Sequence, residues 1–137
     1  MADLTRGRVI AKVRAGESLE GADLSGLDIT GANLSSGDLK RANLKGANLT
    51  GAYLTGTHLE GASLERADLK SARLRSANLS EANLSGAKLI RTDMSGANLS
   101  GANLSDANLS DANLWKANLT GANLLHANLT RALMAMA

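Results

Sequence analysis

Cysteine, proline and phenylalanine are absent from this chain, and its aromatic residues are one Tyr, Tyr53, and one Trp, Trp115. Without Cys there is no disulfide framework and no thiolate chemistry. No stretch approaches the roughly 18 consecutive apolar residues of a membrane span. The start, Met1-Ala2-Asp3-Leu4, lacks the basic segment and apolar run of a secretory signal, so a cytoplasmic protein without a membrane partner is expected. A dominant charge of one sign is missing too. Residues 17 onward hold 11 Lys and Arg against 12 Asp and Glu, a net of −1, while residues 1–16 contribute a net of +3.

What the chain does have is a beat. From Leu19 to Met134 every fifth residue is Leu, Ile or Met, and the residue two before it is Ala except at Glu17, Leu27, Gly37, Thr57 and Thr92. A strict period over nearly the whole length marks stacked repeats, each burying its apolar residues against its neighbours. We call the Leu position the centre of a unit written Ala-Asn-Leu-Ser-Gly; there are twenty-four centres. The other three positions are polar almost throughout and are expected to face water, with Tyr53, Ile90, Trp115, Leu125 and Leu133 as apolar exceptions.

Neither a helix nor a continuous strand can carry this pattern. At about 100° per residue, five residues rotate the apolar pair by about 140° and smear it around a helix. In a strand, Ala and Leu two apart share a face, but five is odd and the next pair would point the other way. The chain must turn once per unit, and the intervening Asn, Asp, Ser and Gly are the residues that tolerate such turns. The result is a coil with short sides, one apolar pair per side pointing inward.

Runs such as Ala97-Asn98-Leu99-Ser100-Gly101 and Ala122-Asn123-Leu124-Leu125-His126 resemble the A(N/D)LXX unit of the pentapeptide-repeat proteins, over residues 17–136. The resemblance implies an all-β fold, a right-handed quadrilateral β-helix with four units per coil and about six coils. At the strand spacing of 4.7 to 4.9 Å such a rod is about 28 Å long. This chain departs from the family habit in having no Phe at any centre.

Residues 1–16 do not follow the beat and form an N-terminal cap, ahead of the β-helix at 17–137. Thr5 is placed as a helix N-cap, Gly16 as a C-terminal glycine, and Val9, Ile10 and Val13 share one face, which predicts a short helix closing the first coil. No equivalent follows Met134. Outward positions near that end turn apolar, and Trp115, Leu133, Met134 and Met136 form a candidate interface for a homodimer through the C-terminal coil.

Other candidate sites are weaker. Arg66, Lys70, Arg73 and Arg75 fall within ten residues and make a possible basic patch, with Tyr53 one coil below Arg73 and Asp93 one coil above it. Glu60, Glu65 and Asp68 interleave with them, Lys45 is expected to stack on Glu65, and only one aromatic is near. That reads as cross-coil charge pairing on a solvated face, which disfavours nucleic acid. His58 and His126 lie 68 residues apart with no carboxylate or nucleophile set beside them, so no catalytic residue is assigned. No metal-binding or phosphate-cradling motif is present, so no metal or cofactor is assigned either. The Asn residues before seven consecutive centres, Asn98 to Asn128, are expected to stack in ladders. Ice or glycan binding would want a uniform outward array, whereas the column of Thr30 and Thr50 breaks at Lys70 and Ile90.

These observations predict a non-enzymatic interaction scaffold that presents a rigid surface to a protein partner. Its candidate surfaces are the C-terminal end and the irregular middle, Thr57 to Arg91. The resemblance offers an alternative, modulation of DNA gyrase by imitating duplex DNA. That role needs a dense negative surface to compete with one charge per about 1.7 Å, and the near-neutral repeats disfavour it. A third reading is a near-consensus scaffold with no evolved ligand. All three require inward centres. Leu79→Ala should therefore cost about 2 to 5 kcal/mol and Leu79→Asp should prevent folding; thermal melts that leave Leu79→Asp unchanged would refute the assignment.

Overall fold

The structure, a computed structural model, describes residues 4–137. One helix, α1, spans Arg6–Arg14; the rest is coil after coil of turns joined by single-residue parallel β-contacts. The contacts pair residues twenty apart, Asp23 with Asn43, Tyr53 with Arg73, and so on to Asn113 with Leu133. Twenty residues are four units, so each coil has four sides. We number them from the first, centred on Leu19 and every twentieth residue after it, to the fourth, centred on Leu34, Leu54, Leu74, Met94, Leu114 and Met134.

A typical unit satisfies all five of its backbone N–H groups, and one from the middle of the rod shows how. The N–H of Leu44 donates to Ser63 O and that of Gly46 to Glu65 O on the next coil, while Asn43 N–H donates back to Ala22 O on the previous one. Ala47 N–H closes the turn onto Leu44 O. The fifth, Lys45 N–H, donates to the Asn43 side-chain Oδ1 at 3.1 Å. No backbone donor of such a unit is left without a partner, as a chain with little regular strand requires.

The turn needs one residue with positive φ, the last of each unit. Every residue at that position from Gly16 to Met136 is left-handed, with φ between 55 and 74°. That is the third residue of a type II turn, where Gly is the unstrained choice. Only about half of these positions are Gly. Arg41, Glu81, Asp111 and others adopt the same φ, at a cost of about 1 kcal/mol each that the cross-coil hydrogen bonds must outweigh.

Inside, Leu34 to Leu114 form a fully buried column on all four sides, with Ala beside them. The two Thr in the Ala column are also buried, and each hydroxyl donates to a carbonyl: Thr57 Oγ1 to Leu34 O at 3.0 Å, Thr92 Oγ1 to Leu89 O at 2.8 Å. The expectation that all three remaining positions face water needs one correction. Ser95 is 5% exposed, because it lies in the column between Arg75 and Trp115, whose larger side chains flank it.

α1 closes the first coil as its residues predict. Thr5 Oγ1 accepts from Arg8 N–H, and at the other end Gly16 (φ +74°) and Glu17 donate to Val13 O and Lys12 O, a Schellman arrangement. Val9 is buried, and Leu4, Ile10 and Val13 pack partly on the core. Gly37 is the counterpart. It replaces Ala at a step with ordinary negative φ, and a Cβ there would sit 3.0 Å from Leu34 O and 3.2 and 3.3 Å from the two Val13 methyl groups. The missing methyl makes room for the helix. Gly37→Ala should lower stability by about 1 to 3 kcal/mol, and much of that loss should vanish in a Val13→Ala background; additive losses in denaturant melts would show that the two do not compete for space.

Candidate functional site

The register sorts charge by side, which the overall balance hides. The first side carries five carboxylates, Glu60 and Glu81 among them, against Lys40 and Arg41, a net of −3. The fourth carries Arg73, Arg75 and Lys116 against Asp93, a net of +2, and Arg91 stands at the corner leading into it. Both aromatic residues are on this fourth side. Tyr53 lies under the guanidinium of Arg73, 4.7 Å from the ring centroid, and Trp115 under the ammonium of Lys116 at 4.5 Å. Such contacts contribute about 0.5 to 1 kcal/mol at exposed sites and hold the cations in place.

Arg73, Arg75 and Arg91 line one shallow cleft of about 470 Å³ with Thr55, Ser71 and Asp93. A smaller cleft of about 210 Å³ follows along the same side, lined by Arg75, Ser76, Ser95, Trp115 and Lys116. Arg75 lines both. Some cations elsewhere are paired between coils: Lys45 with Glu65 at 3.6 Å, as the register predicted, Arg41 with Glu20, and Arg131 with both oxygens of Asp111 at 2.8 and 3.1 Å. Among the described residues the three arginines of the cleft have no carboxylate within 4.0 Å. Asp93, which sits among them, instead accepts from Ser95 N–H at 3.0 Å and Ser95 Oγ at 2.7 Å.

The four basic residues that are close in sequence are thus split. Arg66 turns the corner after the second side, Lys70 is on the third, and only Arg73 and Arg75 share a cleft. Arg91, sixteen residues further on, joins them. Sequence reading missed it because the fourfold register is needed to bring it there. The histidines are corrected in one respect, for each does meet a carboxylate: His58 Nδ1 is 3.4 Å from Glu60 and His126 Nδ1 is 3.9 Å from Asp106. Glu60 also accepts from Asn78 Nδ2 at 2.9 Å. No group of three His, Asp or Glu that could hold a metal occurs among the described residues, and no helix among them is long and apolar enough to cross a membrane.

The Asn column is corrected as well. From Asn98 to Asn128 every side-chain Oδ1 accepts from the N–H two residues on, within its own unit. They are turn locks, and the side-chain amide contacts that cross between coils are Asn43 Nδ2 on Asp23 Oδ1 at 3.3 Å and Asn78 Nδ2 on Glu60 Oε1 at 2.9 Å. Six pre-centre residues lack such a lock, and five of them, Tyr53, His58, Ser63, Arg73 and Lys88, lie in the middle of the rod. Near the C-terminal coil, Trp115, Leu125, Leu133 and Met136 are 40, 64, 51 and 73% exposed, and Met134 is half-buried.

A model of pentapeptide repeats, eight copies long, matches residues 16–46, 47–86, 67–106, 77–115 and 97–134. The chain belongs to the pentapeptide repeat family. Among solved structures it is similar to HetL, a pentapeptide repeat protein involved in heterocyst differentiation regulation in the cyanobacterium Nostoc sp. strain PCC 7120. The identity is 37% and the TM-score 0.72, over 85% of this chain and 63% of that one. It is also similar to Rfr23, a pentapeptide repeat protein of the cyanobacterium Cyanothece 51142, at 30% identity and a TM-score of 0.51, over 94% of this chain and 95% of that one. This chain therefore spans less than two thirds of the length of HetL. No protein of curated function matches it. The family and these neighbours imply a right-handed quadrilateral β-helix, as the resemblance implied.

Where Asp precedes a centre its carboxylate is the turn lock, and at Asp23, Asp28 and Asp38 the acidity responds. Asp23 and Asp28 are held below the ordinary 3.8, first by the hydroxyls of Ser25 and Thr30 and then by their backbone N–H groups. The Ser18 hydroxyl does the same for Asp38. A carboxyl with a depressed folded pKa adds stability that is fully present above its unfolded value and is lost as pH falls through the folded one. Tm should hold down to about pH 4 and drop below it, and Asp23→Asn with Asp28→Asn should flatten that drop, since Asn keeps the acceptor without titrating. An unchanged slope would mean that these locks contribute nothing.

Proposed function

We propose that this chain is a non-enzymatic scaffold, a rigid rod that presents a surface to a protein partner. The observation that carries this reading is how the outward positions are used. Most carry short turn-forming residues, while both aromatics lie on the fourth side with Arg73 and Arg75, and Arg91 joins their cleft from the corner of the third. The regulatory involvement of HetL, a relative of the same fold, agrees with a binding role. Imitation of DNA at a topoisomerase is the second reading. The −3 first side is its best candidate surface, yet Lys40 and Arg41 interrupt it. Self-association through Leu133, Met136 and Trp115 near the C-terminal coil fits the same scaffold role, since exposed apolar patches favour association.

Photo-cross-linking tests these together. A photoreactive residue is placed in the parent cells at Ser100, Ser85, Ser110 or Arg75, one per side, and at Leu133. One defined adduct from one side, with the others silent, is the expected outcome. Weak labelling spread evenly over all positions would overturn the scaffold reading. A gyrase adduct from Ser100 would move the assignment to the second reading, and a chain-to-chain adduct from Leu133 would establish self-association.

A further inference from the structure

We infer that the fourth side is the recognition surface and that it takes an acidic segment of a protein partner, gripped by Arg73, Arg75 and Arg91. This rests on the scaffold reading and names its surface and the chemistry of its partner.

Three observations converge. First, among the described residues Arg73, Arg75 and Arg91 line one cleft with no carboxylate within 4.0 Å of any of them; Arg66, Lys70 and Lys88 also lack an ion pair but do not line it. Asp93 offsets part of their charge, and its Oδ1 is already taken by the Ser95 N–H and hydroxyl, so the cleft keeps a net charge of +2. Second, the local turn rule is broken at this place. Tyr53 and Arg73 occupy successive pre-centre positions in one column, where Asn or Asp would lock the turn, and stack on each other instead. Both side chains are exposed, so the structural return is confined to their one stacking contact. Positions that abandon a local rule for so small a return are where function is expected. Third, Tyr, Trp and Arg together are the composition of interface hot spots. Tyr53 orients the Arg73 guanidinium while leaving its N–H edges available to a carboxylate, the geometry suited to bidentate pairing.

Nucleic acid fits less well. Single strands want open aromatic faces on which bases stack, and here Arg73 covers Tyr53 and Lys116 covers Trp115. A broad polyanion would also overlap the adjoining first side, with its net charge of −3. A narrow strand of discrete carboxylates avoids both problems.

The test uses the full chain and a fluorescein-labelled peptide of alternating Glu and Ala, read by anisotropy at low salt. Trp115, the only tryptophan, is a built-in second reporter because it shares a cleft with Arg75. Saturable binding with a change in Trp115 emission is expected. Arg73→Ser with Arg75→Ser should weaken it by about tenfold or more, while Arg41→Ser on the first side should change it by less than about twofold. All these residues are exposed, so melting curves should be close to that of the parent chain. Absent binding, or equal loss in the Arg41→Ser control, would overturn the assignment. So would an unlabelled single-stranded oligodeoxynucleotide that displaces the peptide at lower concentration, which would turn the surface over to nucleic acid. If cross-linking captures a partner from another side while the peptide fails here, the scaffold reading stands and this surface falls.

Discussion

Backbone hydrogen bonds between neighbouring coils are the constraint on which everything else in this rod depends. Three of the five N–H groups in a typical unit reach across to the coils before and after, and none of those bonds can form unless the coil length stays at twenty residues. The side chains obey the same length. One residue added to one unit would carry the next apolar pair off its side and move each following carbonyl away from its donor. Packing alone could not enforce this, because a column of Leu and Ala would tolerate a sliding register. The hydrogen bonds fix the spacing, and the spacing then selects which residues can be large, small or charged.

The left-handed residue shows how strongly that selection acts. Glycine would be the default at the end of each unit, yet Arg, Glu, Asp, Lys, His and Met all adopt the same φ there. Each incurs some strain for the left-handed conformation and is held by the turn bond beside it, and all but His126, Arg131 and Met136 of the last coil also donate to the next coil. The fold is therefore robust to what stands at these corners. That freedom lets charge be distributed over the corners and sides without loss of the rod.

The legibility of the sequence follows from this hierarchy. The inward centres, the turn in every unit and the capping helix could all be read from period and capping residues, because each is a local rule. Four units to a coil could not be derived from the beat itself and came with the family resemblance. Gly37 stood out only as a missing Ala. Its reason, the two Val13 methyl groups lying where a Cβ would point, belongs to the packing of one cap on one coil. The Asn residues were legible as turn residues but were assigned to ladders between coils, when their bonds in fact close their own units. The basic cluster misled for the same reason that Arg91 was missed: adjacency on a coiled chain runs along columns, and neighbours in sequence turn away around corners.

A near-zero sum of charge is a poor guide for such a molecule. On a globular surface mixed signs average out over a few residues, but a rod with a fixed register separates them into lengthwise strips, here −3 on one side and +2 on the adjoining one. Within about one Debye length, roughly 8 Å at physiological salt, a ligand meets one strip before it meets the rod as a whole. The pre-centre position is where the two demands on this chain compete. Asn or Asp there contributes a turn bond of about 0.5 to 1.5 kcal/mol, whereas Tyr53 and Arg73 give that up and project a stacked pair outward. Because the cross-coil bonds on either side remain intact, with Leu54 N–H donating to Arg73 O and Arg73 N–H to Ala52 O, the rod can lose several turn locks in its middle and still stand. The most dispensable structural position is thus the one best suited to carry recognition.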